Sequence, residues 1–220
     1  MKKVAFITVG QSPRNDMSDV WKELKNCEII QAGVLDNLSD TYIEKKLTPT
    51  KGEAVLVTKK QNGTTVVISE KDISPLMDKC VKYVEEKDAD IIVLLCTGET
   101  VRISSSKIVI HMNDVVINYV LATGLKNNIG IIIPDERQRN IMESRWNKMG
   151  IAVKCFVANP YGNAEEHTLM AENIKNGSLA MLILDCMGFK EEHAQIYSDK
   201  LGIPVILPRR VLIMLLKTLF

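Results

Sequence analysis

Cys96 and Cys186 are the residues of this chain whose type and spacing point most directly to chemistry. Each follows a short apolar run and precedes a glycine two positions on, as Cys96-Thr97-Gly98 and Cys186-Met187-Gly188. A thiol at the carboxyl end of a strand sits beside turn N–H groups and the start of a following helix. Both favour the thiolate, which is the base and the nucleophile. The plainer reading of either cysteine alone is a small buried hydrophobe. Two at matched positions favour function. Cys80 and Cys155 fall on apolar faces and Cys27 opens a strand, so core packing accounts for these three. Five cysteines without C-x-x-C pairs suit reduced thiols in a cytosol rather than a disulfide framework.

Gly10-Gln11-Ser12-Pro13-Arg14 reads as a strand-to-helix turn. Its N–H groups, the Ser12 hydroxyl and the Arg14 guanidinium are suited to a carboxylate or phosphate. A capped helix start with an exposed arginine fits the spacing equally well. Neither a P-loop nor a dinucleotide fingerprint follows the strand. Pro134-Asp135 ends a later strand in the same manner. Tyr161, in Asn159-Pro160-Tyr161-Gly162, is placed to reach a cleft rim, and a plain turn is as good an account. His193 lies about two helical turns beyond Cys186 and is suited to tuning a thiol, although an exposed helix position is the simpler reading. His111 and His167 offer nothing specific. The scattered Cys and His residues lack zinc-type spacing, so neither metal nor cofactor is expected. Trp21 and Trp146 are read as packing helices onto sheets.

These residues need a scaffold that brings strand ends together. Apolar runs alternate with longer amphipathic segments, the pattern of βαβ units. Strands are expected at 4–9, 28–34, 90–95 and 107–112, then at 129–133, 151–157, 179–184 and 203–207. Helices are expected at 16–25, 72–86 and 164–176. Asn62-Gly63 between β-prone segments predicts a hairpin over 54–69, because both residues tolerate positive φ. The expected fold is α/β, with two similar, mainly parallel α/β lobes facing across a cleft and a β-hairpin inserted in the first. The first lobe covers 1–112 and the second 113–207, and a C-terminal helix at 208–220 packs back at the lobe interface. In such sheets ligands bind outside the carboxyl ends of the strands, where residues 10–14, Pro134 and both cysteines fall.

A formal net charge of +1 with 25% charged residues gives no broad electrostatic argument for nucleic acid or an anionic membrane. Lys59-Lys60 and Arg209-Arg210 read as solvated surface. The apolar stretch after Met1-Lys2-Lys3 stops at Gly10, so a first strand is expected rather than a signal peptide. The run 211–216 is far below the roughly 20 residues of a membrane span. A cytoplasmic, soluble protein is expected.

Taken together, Gly10-Gln11-Ser12-Pro13-Arg14, Ala32-Gly33-Val34-Leu35-Asp36-Asn37-Leu38-Ser39, Gly52-Glu53 with Leu56-Val57-Thr58, Cys96-Thr97-Gly98, Pro160-Tyr161 and Asp185-Cys186-Met187-Gly188 resemble the AroM family. More distantly, the two half-domains with one cysteine each are similar to the aspartate/glutamate/hydantoin racemase superfamily. That resemblance implies two lobes about a pseudo-twofold axis and cofactor-independent chemistry at the α-carbon of a small carboxylate. One thiolate removes a proton and the opposite thiol returns one. Carried over, Cys96 and Cys186 are the catalytic pair. Gly10, Gln11, Ser12, Arg14, Thr97, Gly98, Pro134, Tyr161, Met187 and Gly188 are the substrate-binding positions. Those racemases follow their first cysteine with Asn-Thr and their second with Thr. Here Thr97-Gly98 and Met187-Gly188 stand instead, which puts an identical amino-acid substrate in doubt. The alternative is a non-catalytic small-metabolite-binding or regulatory protein linked to aromatic amino-acid metabolism. The inserted hairpin is suited to covering the cleft or to a homodimer contact.

Overall fold

The computed structural model describes residues 1–98, 102–174 and 177–220. The chain divides into two compact units, one of Met1–Val115 with Ile213–Phe220 and one of Val116–Leu212.

The first unit holds a four-stranded parallel sheet of β1 (Lys2–Thr8), β2 (Cys27–Gly33), β5 (Ile91–Leu94) and β6 (Ile108–His111), in the order β2-β1-β5-β6. A central parallel strand is covered on both faces, which is why β1 and β5 are continuous apolar runs rather than alternating ones. Ala5, Ile7, Ile92 and Leu94 pack on Met77, Val81 and Val84 of α3 (Ser74–Glu86). Phe6 points to the other face, its ring 4.6 Å from that of Trp21 in α1 (Ser18–Glu23). The helix expected over 16–25 is split, a 3-10 turn at Asn15–Met17 preceding α1. A short helix α2 (Asp40–Tyr42), running into a π turn at Ile43–Leu47, was not anticipated; Ile43 and Leu47 join the core.

The expected hairpin is β3 (Val55–Lys59) and β4 (Thr65–Ser69), paired antiparallel from Val55 opposite Ser69 to Lys59 opposite Thr65. Its turn has one residue at positive φ. Gly63 has φ +88°, whereas Asn62 is not at positive φ. The Lys60 N–H donates to the Thr64 carbonyl and the Gly63 N–H to that of Lys60, closing a longer loop with one left-handed residue. The hairpin is built into its own unit, with Leu56 and Ile68 in the core.

The second unit repeats the plan. β7 (Ile129–Ile133), β8 (Val153–Val157), β9 (Met181–Leu184) and β10 (Val205–Ile206) form a parallel sheet in the order β10-β9-β7-β8. Ile132, Leu182 and Leu184 pack on α6 (Ala164–Ile174) and α7 (Glu191–Leu201). Trp146, in α5 (Arg139–Lys148), is buried. The end expected for α6, Asn176, lies outside the described residues. The chain passes between units within α4 (Met112–Leu121) and α8 (Pro208–Leu219).

The repetition extends to single hydrogen bonds. The Asp90 N–H donates to the Lys3 carbonyl and the Leu95 N–H to that of Ile7, each at 2.8 Å. In the second unit Ala180 donates to Asn128 at 2.7 Å and Asp185 to Ile132 at 2.8 Å. Cys96 follows Leu95 as Cys186 follows Asp185. The two cysteines are therefore the first residues beyond the last inter-strand bond of equivalent strands. Among the described residues no helix is long and apolar enough to cross a membrane.

Candidate functional site

Beyond β9 the chain turns sharply at Cys186. The Gly188 N–H donates to the Cys186 sulfur at 3.3 Å and the Phe189 N–H to the Cys186 carbonyl at 3.3 Å. A methyl group on Gly188 would lie 2.9 Å from Cε1 and Cζ of Tyr161 and 3.0 Å from Cβ of Pro160. A side chain there would have to displace the Tyr161 ring, which lies on the turn. Tyr161, selected separately in the sequence, is thus brought onto the Cys186-Met187-Gly188 turn. Met187 is buried; Pro134 is half-buried at the end of the neighbouring strand β7.

Two buried arginines support this turn. Arg145 reaches Asp185, the residue before Cys186, at 3.4 Å, with both side chains buried. Arg209 is 1% exposed, and its Nε donates to the Met187 carbonyl at 2.8 Å while Nη2 donates to that of Gly188 at 3.4 Å. The expectation of a solvated Arg209-Arg210 run is corrected for Arg209; Arg210 is exposed and paired with Glu191. The missed signal is periodicity. Arg209, Leu212 and Leu216 share the buried stripe of α8 at helical spacing, and an arginine on such a stripe must find buried acceptors. Lys59-Lys60 is corrected too. Lys60 pairs with Asp40 at 2.8 Å and both lysines are half-buried.

The histidines also depart from expectation. His193 is 1% exposed and stacks on the fully buried His167 with ring centroids 4.0 Å apart. Phe189 meets both rings edge-on, and the Tyr197 hydroxyl is 3.0 Å from Nδ1 of His167. The Lys190 N–H donates to Nδ1 of His193 at 3.2 Å, so the neutral ring carries its proton on Nε2. Burial, with the adjoining His167 ring, pushes His193 down to about 4, and burial lowers His167 as well. At neutral pH this pair is uncharged, so it supplies no cation to a thiol.

In the first unit the turn at residues 10–14 is a knot of internal bonds. The Asp36 carboxylate accepts from the Ser12 N–H (2.7 Å), the Ser12 hydroxyl (2.6 Å) and the Gly33 N–H (2.7 Å). Arg14 is 5% exposed; its guanidinium grips Asp16 through Nε (2.8 Å) and Nη2 (2.7 Å) and donates to the Thr8 hydroxyl at 2.9 Å. The Gln11 N–H donates to the Lys59 carbonyl at 3.1 Å, and Gln11 Oε1 accepts from the Gln61 N–H at 2.8 Å. A methyl group on Gly10 would fall on the Lys59 carbonyl and 2.5 Å from the Thr58 hydroxyl. The three sequence stretches around residues 10–14, 32–39 and 56–58 are therefore one packed unit. Ser12 and Arg14 hold carboxylates, but these belong to the protein.

Cys96 leaves β5 beside this turn, half-buried against the first core, followed by buried Thr97 and half-buried Gly98. Glu99, next in the turn as read from the sequence, lies outside the described residues. Burial pushes Cys80 and Cys155 up to about 12, in keeping with inert core thiols, and raises the half-buried Cys27. A cavity of about 370 Å³ opens between the end of β2 and α3, lined in part by Asp36, Asn37, Leu38, Lys79, Cys80 and Tyr83. It includes none of the substrate-binding positions selected from the sequence. Among the described residues no group of three or more His, Cys, Asp or Glu is placed to hold a metal ion.

The sequence matches the family described as AroM protein over residues 4–220. The comparison with curated protein sequences returns no match. Solved structures share the fold. A maleate isomerase from Pseudomonas putida aligns with TM-score 0.67 at 9% identity, over 99% of this chain and 92% of its own. An arylmalonate decarboxylase in a liganded form aligns with TM-score 0.65 at 10% identity, over 96% and 89%. A glutamate racemase from Francisella tularensis in complex with D-glutamate aligns with TM-score 0.60 at 14% identity, over 99% and 80%.

Proposed function

This chain belongs to the AroM family, and we propose that it is a cofactor-independent racemase- or isomerase-like enzyme acting at the α-carbon of a small carboxylate. Cys96 and Cys186 are its acid/base pair. One observation carries the reading: the two cysteines occupy the same position in two sheets of matching strand order, each just beyond a matched inter-strand hydrogen bond. A fold duplicated around one thiol per half suits a reaction that is itself symmetric. A thiolate takes the α-proton and becomes a thiol, leaving the electron pair in an enolate-like carboxylate. The other thiol gives its proton to the same carbon and becomes the thiolate. The roles are then reversed, ready for the opposite enantiomer. The names of the similar structures (isomerase, decarboxylase, racemase) support this class of chemistry.

In this reading Thr97, Gly98, Tyr161 and Gly188 contact the substrate, with Gly10, Gln11 and Pro134 at the adjoining strand ends. Ser12 and Arg14 shape their turn, since Asp36 and Asp16 occupy them, and Met187 contributes through its backbone. The test is incubation with a panel of amino, hydroxy and dicarboxylic acids in heavy water, followed by NMR. Wild type should exchange the α-proton of both enantiomers of its substrate, and Cys96→Ala or Cys186→Ala should retain exchange of at most one. Racemisation should fall by at least about 100-fold in either. Equal exchange in wild type and the double variant overturns the reading.

The rival is a non-catalytic small-metabolite-binding or regulatory protein. What favours it is that the donors expected to hold an external carboxylate, Ser12 and Arg14, are engaged inside the fold. It predicts a ligand that raises the melting temperature equally in wild type and the double cysteine variant.

A further inference from the structure

We propose that Arg209 is a positioning residue that sets the reactivity of Cys186 through one peptide group. The inference rests on the reading of Cys186 as a working thiolate. The peptide between Met187 and Gly188 has two polar ends. Its carbonyl oxygen accepts from Arg209 Nε at 2.8 Å, and its N–H donates to the Cys186 sulfur at 3.3 Å. The guanidinium, the peptide and the sulfur thus form a chain of two hydrogen bonds in series. Hydrogen bonds so arranged polarise one another, and the effect is greater where water is excluded. A cation on the carbonyl end draws electron density away from the N–H, making it a better donor. A thiolate gains more from such a donor than a thiol does.

Geometry adds to the electronic effect. The second guanidinium bond, from Nη2 to the Gly188 carbonyl at 3.4 Å, fixes the next peptide of the turn. The ring of Tyr161 closes the space over Gly188. The Gly188 N–H is therefore held on the sulfur from both sides. Arg209 is buried beneath the turn it holds. Its planar, permanently charged fork does what a neutral side chain cannot, joining two carbonyls while polarising one of them.

The test reads Cys186 itself, without substrate. The rate of iodoacetamide labelling is followed by peptide mass spectrometry against pH in wild type, Arg209→Met and Arg209→Lys. Cys155, buried in the same unit, reports any general opening. The half-maximal pH for Cys186 labelling should rise by about one unit in Arg209→Met. Arg209→Lys, which keeps the charge but loses the fork, should lie between. Where Cys155 labelling shows Arg209→Met to be unfolded, Arg209→Lys decides alone. A wild-type pH profile in every variant whose Cys155 stays protected overturns the proposal. The enzymatic reading fails separately, by absence of exchange in heavy water while the labelling shift persists.

Discussion

The carboxylate of Asp36 grips Ser12 twice, accepting from its backbone N–H at 2.7 Å and from its hydroxyl at 2.6 Å. The same carboxylate takes the Gly33 N–H, so one side chain ties the end of β2 to the turn after β1. Asp36→Ala leaves three donors without their acceptor. It should destabilise the protein by about 2–4 kcal/mol, measured by urea unfolding, and Asp36→Asn by less. A loss under about 0.5 kcal/mol in the alanine variant would mean that the turn does not depend on this clasp.

Gly10 is fixed by close approach rather than by positive φ. A β-carbon there meets backbone, the Lys59 carbonyl, which cannot swing aside as a side chain end can. Gly10→Ala should cost about 1–3 kcal/mol by forcing the hairpin off the turn. It should also speed amide exchange at Gln11, whose N–H donates to that carbonyl. Unchanged exchange at Gln11 would count against the contact.

Arg145 and Asp185 form a buried pair immediately before Cys186. Asp185→Asn removes the charge that faces the buried Arg145 guanidinium and should cost about 3–5 kcal/mol. The double replacement Arg145→Met, Asp185→Asn should cost clearly less than the two single changes together. Additive losses in such a cycle would show that the residues do not act as a pair.

His193 gives stability a definite pH dependence. Burial lowers its folded-state value from 6.5 to about 4, so the unfolded chain binds its proton first as pH falls. The stability it contributes is present in full above 6.5 and is lost as pH drops from there towards 4. His193→Gln keeps an acceptor for the Lys190 N–H without titrating. It should flatten the fall in melting temperature over that interval, with His167 accounting for what slope remains. Identical slopes in wild type and variant would exclude His193 as the cause.

Much of the fold was legible because parallel strands buried on both faces leave an unbroken apolar signature. Residues 4–7, 91–94, 129–133 and 181–184 carry it plainly, and the cysteines could be placed at strand ends from that alone. The hairpin was legible from Asn62-Gly63, but its turn type was not. Loop length there is set by the pairing of Lys60 with Thr64, which local composition does not encode.

Period and composition thus determined the α/β class, the two similar halves and the matched positions of Cys96 and Cys186. They did not determine where polar side chains point. Ser12 and Arg14 look like ligand donors in sequence, yet Asp36 and Asp16 occupy them. Arg209 looks like surface, yet it lies under the cysteine turn. His193 looks exposed, yet it stacks on His167. The physical reason is the same for all four. Apolar burial follows a period written along the chain, whereas a hydrogen bond or ion pair depends on which distant residue the folded backbone delivers within about 3 Å.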